Sequence, residues 1–220
     1  MSDLWMWPEH KHCLIIGCGS DIGKELNKRF RAESGWWTSE YRHNVNFCSV
    51  QPSKWDLAII CSGTVKPKGV FWDIDQEEFD QTIKSNALTP LRQIRQIYPY
   101  RKPGASICVF AGSNPNKPRP DYIAYVLSKI LLIKAMEELQ ASSNDCQFFA
   151  LGPGYVETKI HQDTGETSEG RVSTTHDRIY ELLTACIKEP QIGGRNIHVR
   201  DDFSNPLGPD TYKLRRSESR

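Results

Sequence analysis

Near its amino terminus the chain reads Cys13-Leu14-Ile15-Ile16-Gly17-Cys18-Gly19-Ser20-Asp21-Ile22-Gly23. The apolar run at the start predicts a buried β-strand, and the glycines that follow predict a tight turn. Ile22, Leu26 and Phe30 then recur at a spacing of four, which predicts a helix over residues 22–32 with one apolar face. A strand, a glycine turn and a helix in this order are the beginning of a parallel α/β fold.

The glycine turn is also a candidate pyrophosphate site. Glycine lets the backbone approach a ligand closely, and the start of a helix offers unpaired N–H groups and a partial positive charge. Tight turns use glycine for conformational reasons as well, so it is the position between strand and helix that favours a dinucleotide. Asp21 would repel a phosphate at close range, and its carboxylate is expected to cap the helix or to face the adenosine ribose.

Short apolar runs alternate with longer helical periods through the rest of the chain. The predicted strands cover residues 36–39, 57–61, 106–110, 147–151 and 196–199, and the predicted helices cover residues 78–97, 123–140 and 177–188. This alternation predicts a parallel sheet with helices on its faces.

One connection is too short for the standard plan. Fifteen residues lie between Ser39 and Trp55, whereas a strand and its crossover helix need a dozen or more for the crossover alone. We therefore expect this helix to be missing, with at most a short strand near residues 45–48.

The charges of the chain nearly cancel, since 28 Lys and Arg against 27 Asp and Glu give a net charge of +1. Proteins that bind duplex nucleic acid usually carry a marked basic excess, and the one dense basic cluster here is Lys213-Leu214-Arg215-Arg216. No apolar run approaches the ~20 residues of a membrane span, and residues 1–12 lack the apolar core of a signal peptide. These features predict a cytoplasmic protein with no nucleic-acid or membrane partner.

The seven cysteines are odd in number and include no Cys-x-x-Cys pair. A disulfide framework or a zinc knuckle is therefore not expected, and the cysteines are predicted to be reduced packing residues. His10 and His12 could hold a metal together with Cys13, but alternate residues before a strand more often face water. No metal site is predicted.

The pattern Tyr-x-x-x-Lys occurs three times, at Tyr98/Lys102, Tyr125/Lys129 and Tyr155/Lys159. Prolines interrupt the first pair and a Gly-Pro-Gly turn precedes the third, so only the second lies in an unbroken predicted helix. There a spacing of four places both side chains on one face, and a nearby ammonium lowers the pKa of a phenol toward the range of an acid–base catalyst. A surface Tyr/Lys pair on an amphipathic helix is the alternative.

Ser113 follows the predicted strand 106–110, at the sheet edge where such folds bind ligands. Its hydroxyl could donate a hydrogen bond to a substrate oxygen beside Tyr125. The alternative is a loop serine that caps the next turn.

Taken in order, these motifs resemble the short-chain dehydrogenase/reductase family over residues 13–200. Residues 17–23 resemble its Gly-x-x-x-Gly-Ile-Gly loop with Asp21 in place of the middle glycine, and Cys61-Ser62-Gly63 lies where the family has Asn-Asn-Ala-Gly. The further matches are Ser85-Asn86-Ala87, Ser113, Tyr125 with Lys129, Pro153-Gly154-Tyr155-Val156-Glu157-Thr158 and the last strand, residues 194–199.

The resemblance implies an α/β fold, a Rossmann-type doubly wound parallel sheet in three α/β/α layers with a single domain. It divides the chain into an N-terminal lead-in over residues 1–11, an NAD(P)-binding Rossmann domain over residues 12–203 and a flexible basic tail over residues 204–220. The short connection after the second strand would make the protein a compact member.

The resemblance also implies an activity, the NADP(H)-dependent interconversion of a carbonyl and an alcohol on a small-molecule substrate. Tyr125 would act as general acid, Lys129 would favour its ionisation and hold the nicotinamide ribose, and Ser113 would stabilise the oxyanion. Asn86 would support a water-linked proton path to Lys129, and Thr158 would bind the carboxamide or a phosphate.

The cofactor site implied by the resemblance comprises Gly17, Gly19, Ser20, Asp21, Ile22, Gly23, Arg42, Cys61, Ser62, Gly63, Tyr125, Lys129, Pro153, Gly154, Val156 and Thr158. Cofactor choice depends on the residue after the second strand, where Arg favours a 2′-phosphate and an acidic residue favours a free 2′-hydroxyl. A strand over residues 36–41 would place Arg42 there, and a strand that ends at Ser39 would place Glu40 there. NADP(H) is favoured over NAD(H).

Three further expectations complete the interpretation. A non-catalytic dinucleotide-binding sensor or scaffold is the alternative function, because Asp21 and the missing helix alter the adenosine side of the site. Residues 161–175 are polar and follow Thr158, so they are expected to cover the substrate. The resemblance implies a homodimer or homotetramer through the helices at residues 78–97 and 123–140.

Overall fold

The computed structural model describes residues 10–49, 51–112, 118–158 and 172–201. Its six strands are β1 (Lys11–Ile16), β2 (Trp36–Tyr41), β3 (Trp55–Ile60), β4 (Arg101–Phe110), β5 (Cys146–Gly152) and β6 (Asn196–His198). They form one sheet in the order β2-β1-β3-β4-β5-β6, and every neighbouring pair is parallel. The predicted doubly wound parallel sheet is confirmed.

Among the residues that the structure describes, five α-helices accompany the strands. They are α1 (Asp21–Ala32), α2 (Gln76–Ile83), α3 (Thr89–Ile97), α4 (Ile123–Ala141) and α5 (His176–Cys186). A π-helical segment, Lys84–Leu88, joins α2 to α3 without a break, and short 3₁₀ helices cover Tyr98–Tyr100 and Pro190–Ile192.

The helices cover both faces of the sheet, which gives the three predicted layers. On one face α1 and α5 bury side chains such as Phe30 and Leu182 against β1, β3, β4 and β5. On the other face α3 and α4 bury Ile97, Leu132 and Met136. Because β1 has β2 on one side and β3 on the other, the strand order reverses at β1. Ligands of such sheets bind at this switch point, outside the carboxyl ends of the strands.

The described residues of the connection between β2 and β3, 42–49 and 51–54, contain no helix, as predicted, but other details differ from the prediction. β2 continues to Tyr41, two residues past the predicted end, because Tyr41 pairs with Ile16 and its ring packs on Phe47. Residues 45–48 contain no strand, and turns cover residues 43–44 and 47–49. Phe47 is buried there and belongs to the core on the α3 and α4 side of the sheet.

Two glutamines of α3 fix the position of this connection. Gln93 Nε2 donates to the carbonyl of His43 at 2.7 Å, and Gln96 Oε1 accepts from the Phe47 N–H at 3.2 Å. The segment that follows β2, including Arg42, is therefore tied to the α3 side of the sheet.

Two further boundaries differ from the sequence prediction. The predicted helix over residues 78–97 is interrupted by the π-helical segment, and the predicted helix over residues 177–188 ends at Cys186. All seven cysteines are free thiols; five of them are buried, Cys18 is partly buried and Cys48 is exposed, so the last is not the packing residue that was predicted. Both ring nitrogens of His12 contact protein groups, Nδ1 with the Lys54 carbonyl at 2.8 Å and Nε2 with Ser39 Oγ at 3.0 Å.

In the described ranges, no helix has the length and apolar character needed to cross a membrane.

Candidate active site

The glycine turn forms where β1 ends at the switch point of the sheet. Gly17 adopts a φ of +88°, and a Cβ there would lie 3.0 Å from the Cys61 carbonyl carbon, so the position requires glycine. Its N–H donates to the Tyr41 carbonyl at 2.8 Å. The turn therefore touches the carboxyl ends of both neighbouring strands, β2 and β3.

Ser20, rather than Asp21, caps the start of α1. Ser20 Oγ accepts from the Gly23 N–H at 3.0 Å and donates to the Gly17 carbonyl at 2.8 Å. The expectation that Asp21 caps the helix is wrong, because Asp21 is already the first residue of α1. The serine hydroxyl reaches the N–H three residues ahead, which is the usual capping geometry.

A cavity of about 240 Å³ opens between this turn and α4. It is lined by Gly19, Ser20, Asp21, Ile22, Cys61, Ser62, Gly63, Phe110, Ala111, Tyr125, Lys129, Pro153 and Thr158. The structure thus brings together most of the residues that the sequence assigned to a cofactor, from three strand ends and two helices.

Tyr125 and Lys129 meet in this cavity from one face of α4. Lys129 is 5% exposed, and its Nζ donates to the Phe110 carbonyl at 2.8 Å and lies 5.7 Å from the centre of the Tyr125 ring. A Cβ built at Gly112 would lie 3.6 Å from the Tyr125 hydroxyl oxygen, so the hydroxyl is next to the end of β4. The pair is not on the outer solvent face of the helix.

Burial determines the protonation of the Lys129 amine. Removal from water lowers the pKa of Lys129 to about 8, and the nearby Cys61 thiol opposes that shift. Burial likewise raises the pKa of the Cys61 thiol well above its usual range, so this cysteine is neutral. At neutral pH the amine is therefore mostly a buried ammonium, held by a carbonyl within reach of a phenol.

The Tyr98/Lys102 pair does not form such a site, and the Tyr155/Lys159 pair is only partly described. Tyr98 lies in a 3₁₀ helix, and Lys102 lies in β4 with an ion pair to Asp56 at 3.1 Å. Tyr155 forms an isolated bridge with Ser173, and Lys159 lies outside the described residues.

Asn86 lies in the π-helical segment and is fully buried. Its Oδ1 accepts from the Thr64 N–H at 2.8 Å, and its Nδ2 donates to the Thr64 carbonyl at 2.8 Å and to Ser128 Oγ at 3.0 Å. A Cβ at Gly63 would lie 3.9 Å from Asn86 Oδ1 and 3.3 Å from Lys129 Nζ. Asn86 therefore holds the loop after β3 against the Lys129 amine.

Two features of the cavity wall fit a dinucleotide. A Cβ built at Gly19 meets no atom within 4 Å, so the chain's own packing does not demand this glycine and the backbone is left open to a ligand. Within the part of the chain that the structure describes, the Ser62 hydroxyl is buried and has no hydrogen-bond partner. A buried hydroxyl without a partner in a cavity wall is satisfied by a polar ligand or by water.

Arg42 is the first residue after β2, and it is exposed. The carbonyl of the preceding residue, Tyr41, accepts from the N–H groups of Gly17 and Cys18, so Arg42 lies beside the glycine turn. The competing residue, Glu40, forms an ion pair with Arg31 at 3.1 Å on the α1 side. Of the two strand ends considered from the sequence, the structure has the later one, Tyr41, so that Arg42 follows β2 directly.

Gly154 and Val156, which the sequence also assigned to the cofactor, do not line the cavity. Val156 is buried in the core, and Gly154 has a φ of +71° where a Cβ would lie 2.8 Å from Thr174 Oγ1. Ser113 lies outside the described residues, as does most of the predicted cover at residues 161–175.

Sequence reasoning missed several contributors to the site. Phe110 contributes a backbone carbonyl and Thr64 contributes both of its backbone groups, which any residue type could supply. Ser128 lies between Tyr125 and Lys129, and the sequence pattern places it only within the predicted helix. A serine directly before Lys129 in a mostly apolar stretch of that helix was the one available signal.

Comparison with known proteins identifies the family. A sequence model described as short chain dehydrogenase matches residues 38–169, more than half of the chain. The chain belongs to the short-chain dehydrogenase family. As a member of this family the protein is an oxidoreductase, and the matched range includes Asn86, Tyr125 and Lys129. No curated protein sequence matches this short-chain dehydrogenase.

Solved structures share the fold of this short-chain dehydrogenase. A small-chain dehydrogenase in complex with NADPH matches with a TM-score of 0.75 and 16% identity over 90% of this chain and 100% of that chain. A short-chain dehydrogenase/reductase from Burkholderia multivorans with bound NADP has a TM-score of 0.71 and 14% identity, over 87% and 97% of the two chains. The aldohexose dehydrogenase of Thermoplasma acidophilum has a TM-score of 0.72 and 13% identity, over 87% and 93%.

Proposed function

We propose that this short-chain dehydrogenase uses NADP(H) to interconvert a carbonyl and an alcohol on a small molecule, with Tyr125 as general acid and base. One observation carries the proposal. The buried Lys129 ammonium and the Tyr125 phenol lie one helical turn apart in a cavity that begins at the glycine turn of α1. A protein that only binds a dinucleotide could use the buried cation to hold the cofactor, but it has no need of a phenolic proton donor beside that cation.

The cofactor would lie along the carboxyl ends of the strands, across the switch point of the sheet. The start of α1, with the open backbone at Gly19, would take the pyrophosphate, and Arg42 would take the adenosine 2′-phosphate. The orphan hydroxyl of Ser62 and the Lys129 ammonium would bind polar groups of the nicotinamide half. When bound, the nicotinamide cofactor supplies the hydride.

The protein's own groups would handle the proton. In reduction the Tyr125 hydroxyl donates its proton to the carbonyl oxygen, and in oxidation the phenolate accepts it back. The positive charge of Lys129 stabilises the phenolate, since an opposite charge nearby favours the ionised form. Asn86 holds the loop beside Lys129 and would support the proton path to that amine, and Ser113 would donate to the developing oxyanion.

A substrate screen tests the proposal. Aldehydes, ketones, sugars and quinones are offered with NADPH or NADH, and loss of reduced-nicotinamide absorbance is followed alongside cofactor binding by fluorescence. We expect turnover with at least one carbonyl class and preference for NADPH. Tight NADPH binding without turnover on any class would favour a sensor or scaffold. No binding of either cofactor would reject both functions.

The lowered pKa of Lys129 predicts how NADPH binding depends on pH. Below about pH 8 the amine is an ammonium that attracts the anionic cofactor, and above it the charged fraction falls. The dissociation constant of NADPH should therefore be flat below pH 8 and rise above it, by up to about tenfold per pH unit if only the ammonium form binds. Titrations by intrinsic fluorescence between pH 6 and about 9.5 measure this.

Lys129→Met is the control for this titration. It should bind NADPH more weakly and with no break near pH 8. A break that persists in Lys129→Met would assign the titrating group elsewhere.

The cytoplasmic location, the domain boundaries and a homodimer or homotetramer through α2, α3 and α4 stay predictions.

A further inference from the structure

Ser128 lies between the two residues of the proposed proton-transfer pair and is completely buried. Its hydroxyl makes two hydrogen bonds. It donates to the Tyr125 carbonyl at 2.7 Å and accepts from Asn86 Nδ2 at 3.0 Å. It thus joins the beginning of α4 to the π-helical segment across a buried contact.

The carbonyl that Ser128 contacts is part of the helical backbone that joins Tyr125 to Lys129. In an α-helix the Tyr125 carbonyl accepts the N–H four residues on, which is that of Lys129. A serine hydroxyl that bonds to the carbonyl of the preceding turn tilts that carbonyl and bends the helix locally. Ser128 therefore acts on the one helical turn that sets Tyr125 and Lys129 relative to each other.

The other partner of Ser128 carries the connection to the cavity wall. Asn86 donates both of its amide N–H groups, one to the Thr64 carbonyl and one to Ser128, and its oxygen accepts from the Thr64 N–H. Thr64 follows Ser62 and Gly63, which line the cavity beside Lys129 Nζ. Removal of the Ser128 hydroxyl would leave a buried amide N–H without a partner, and a buried donor without a partner is costly.

We propose that Ser128 is a positioning residue, whose hydroxyl couples the loop after β3, through Asn86, to the turn of α4 that carries Tyr125 and Lys129. The inference rests on the proposed function, because it assigns a role toward that pair. It adds a residue whose own side chain does not line the cavity.

The first test needs no turnover. The Thr64 amide proton is held by Asn86 Oδ1, so its hydrogen exchange reports whether the Asn86 amide is fixed. Ser128→Ala should lower the exchange protection of Thr64 about tenfold, relative to core amides of β3 in the same protein. Unchanged protection of Thr64 would overturn the inference.

Ser106→Ala is the matched control. Ser106 is also buried, at 4% exposure, and its hydroxyl donates to the side-chain amide oxygen of Gln147 at 3.0 Å on β4, outside the cavity wall. The Ser106→Ala substitution also removes a hydrogen bond between a serine hydroxyl and a side-chain amide. It should therefore lower the free energy of unfolding by a comparable amount and leave the exchange protection of Thr64 unchanged. An equal loss at Thr64 in both variants would show general loosening and would also overturn the inference.

The second test is kinetic. Ser128→Ala should lower kcat by about three- to tenfold while the dissociation constant of NADPH stays the same, because the hydroxyl positions the pair without touching the cofactor. Ser128→Thr keeps the hydroxyl and should recover both kcat and Thr64 protection. If Tyr125 proves dispensable while Ser128→Ala still exposes Thr64, the proposed function fails and the structural coupling stands.

Discussion

Tyr125→Phe should lower turnover about 10²- to 10⁴-fold, the range that a positioned general acid contributes. The substitution removes only the hydroxyl, and the ring keeps its place near Gly112 and Lys129. The fold and NADPH affinity should therefore change little, which the same fluorescence titration checks. Initial rates of NADPH oxidation, with the best carbonyl from the screen, measure the loss.

Tyr98→Phe is the matched control for this loss. Tyr98 belongs to another Tyr-x-x-x-Lys pattern, and its hydroxyl forms a hydrogen bond with Ser143 Oγ at 3.0 Å, away from the cavity. It should cost some stability and no more than about twofold in kcat. Retention of most of the turnover by Tyr125→Phe would remove Tyr125 from the mechanism, whatever the cofactor affinity.

The sheet and its order of elements could be predicted from the sequence because each strand is a short apolar run and each crossover helix has its own period. The missing helix after β2 could be predicted for the simplest reason, since fifteen residues are too few for a strand and a helix. The contacts that hold the shortened connection could not be predicted. Phe47 is buried in the core and α3 holds the loop through Gln93 and Gln96, and such contacts between distant segments leave no local signal.

The candidate site shows the same division. Tyr125, Lys129 and the glycine turn are visible as motifs because their chemistry depends on residue type. The partners that set their geometry are not, since Lys129 bonds to a carbonyl of Phe110 and Asn86 bonds to both backbone groups of Thr64. The π-helical segment that presents Asn86 is equally invisible, because its residues have ordinary helical preferences.

Two residues at the end of β2, Glu40 and Arg42, were the sequence candidates for the choice between NAD(H) and NADP(H). Arg42→Ala should raise the dissociation constant of NADPH roughly 10- to 100-fold, the cost of losing hydrogen bonds to a charged group. NADH has no 2′-phosphate, so its affinity should not change, and the preference between the two cofactors should fall by the same factor. Because Arg42 is exposed, the effect should shrink as salt is added.

Arg31→Ala tests whether the loss of any positive charge near the carboxyl end of β2 would also weaken NADPH binding. Arg31 lies nearby on α1 and pairs with Glu40 at 3.1 Å, so its removal takes one charge from the same surface and frees Glu40. NADPH affinity in Arg31→Ala should stay within about threefold of the parent protein. Equal weakening of NADPH and NADH by Arg42→Ala would mean that Arg42 meets the pyrophosphate instead of the 2′-phosphate. In that case the preference for NADP(H) would need another residue near the carboxyl end of β2.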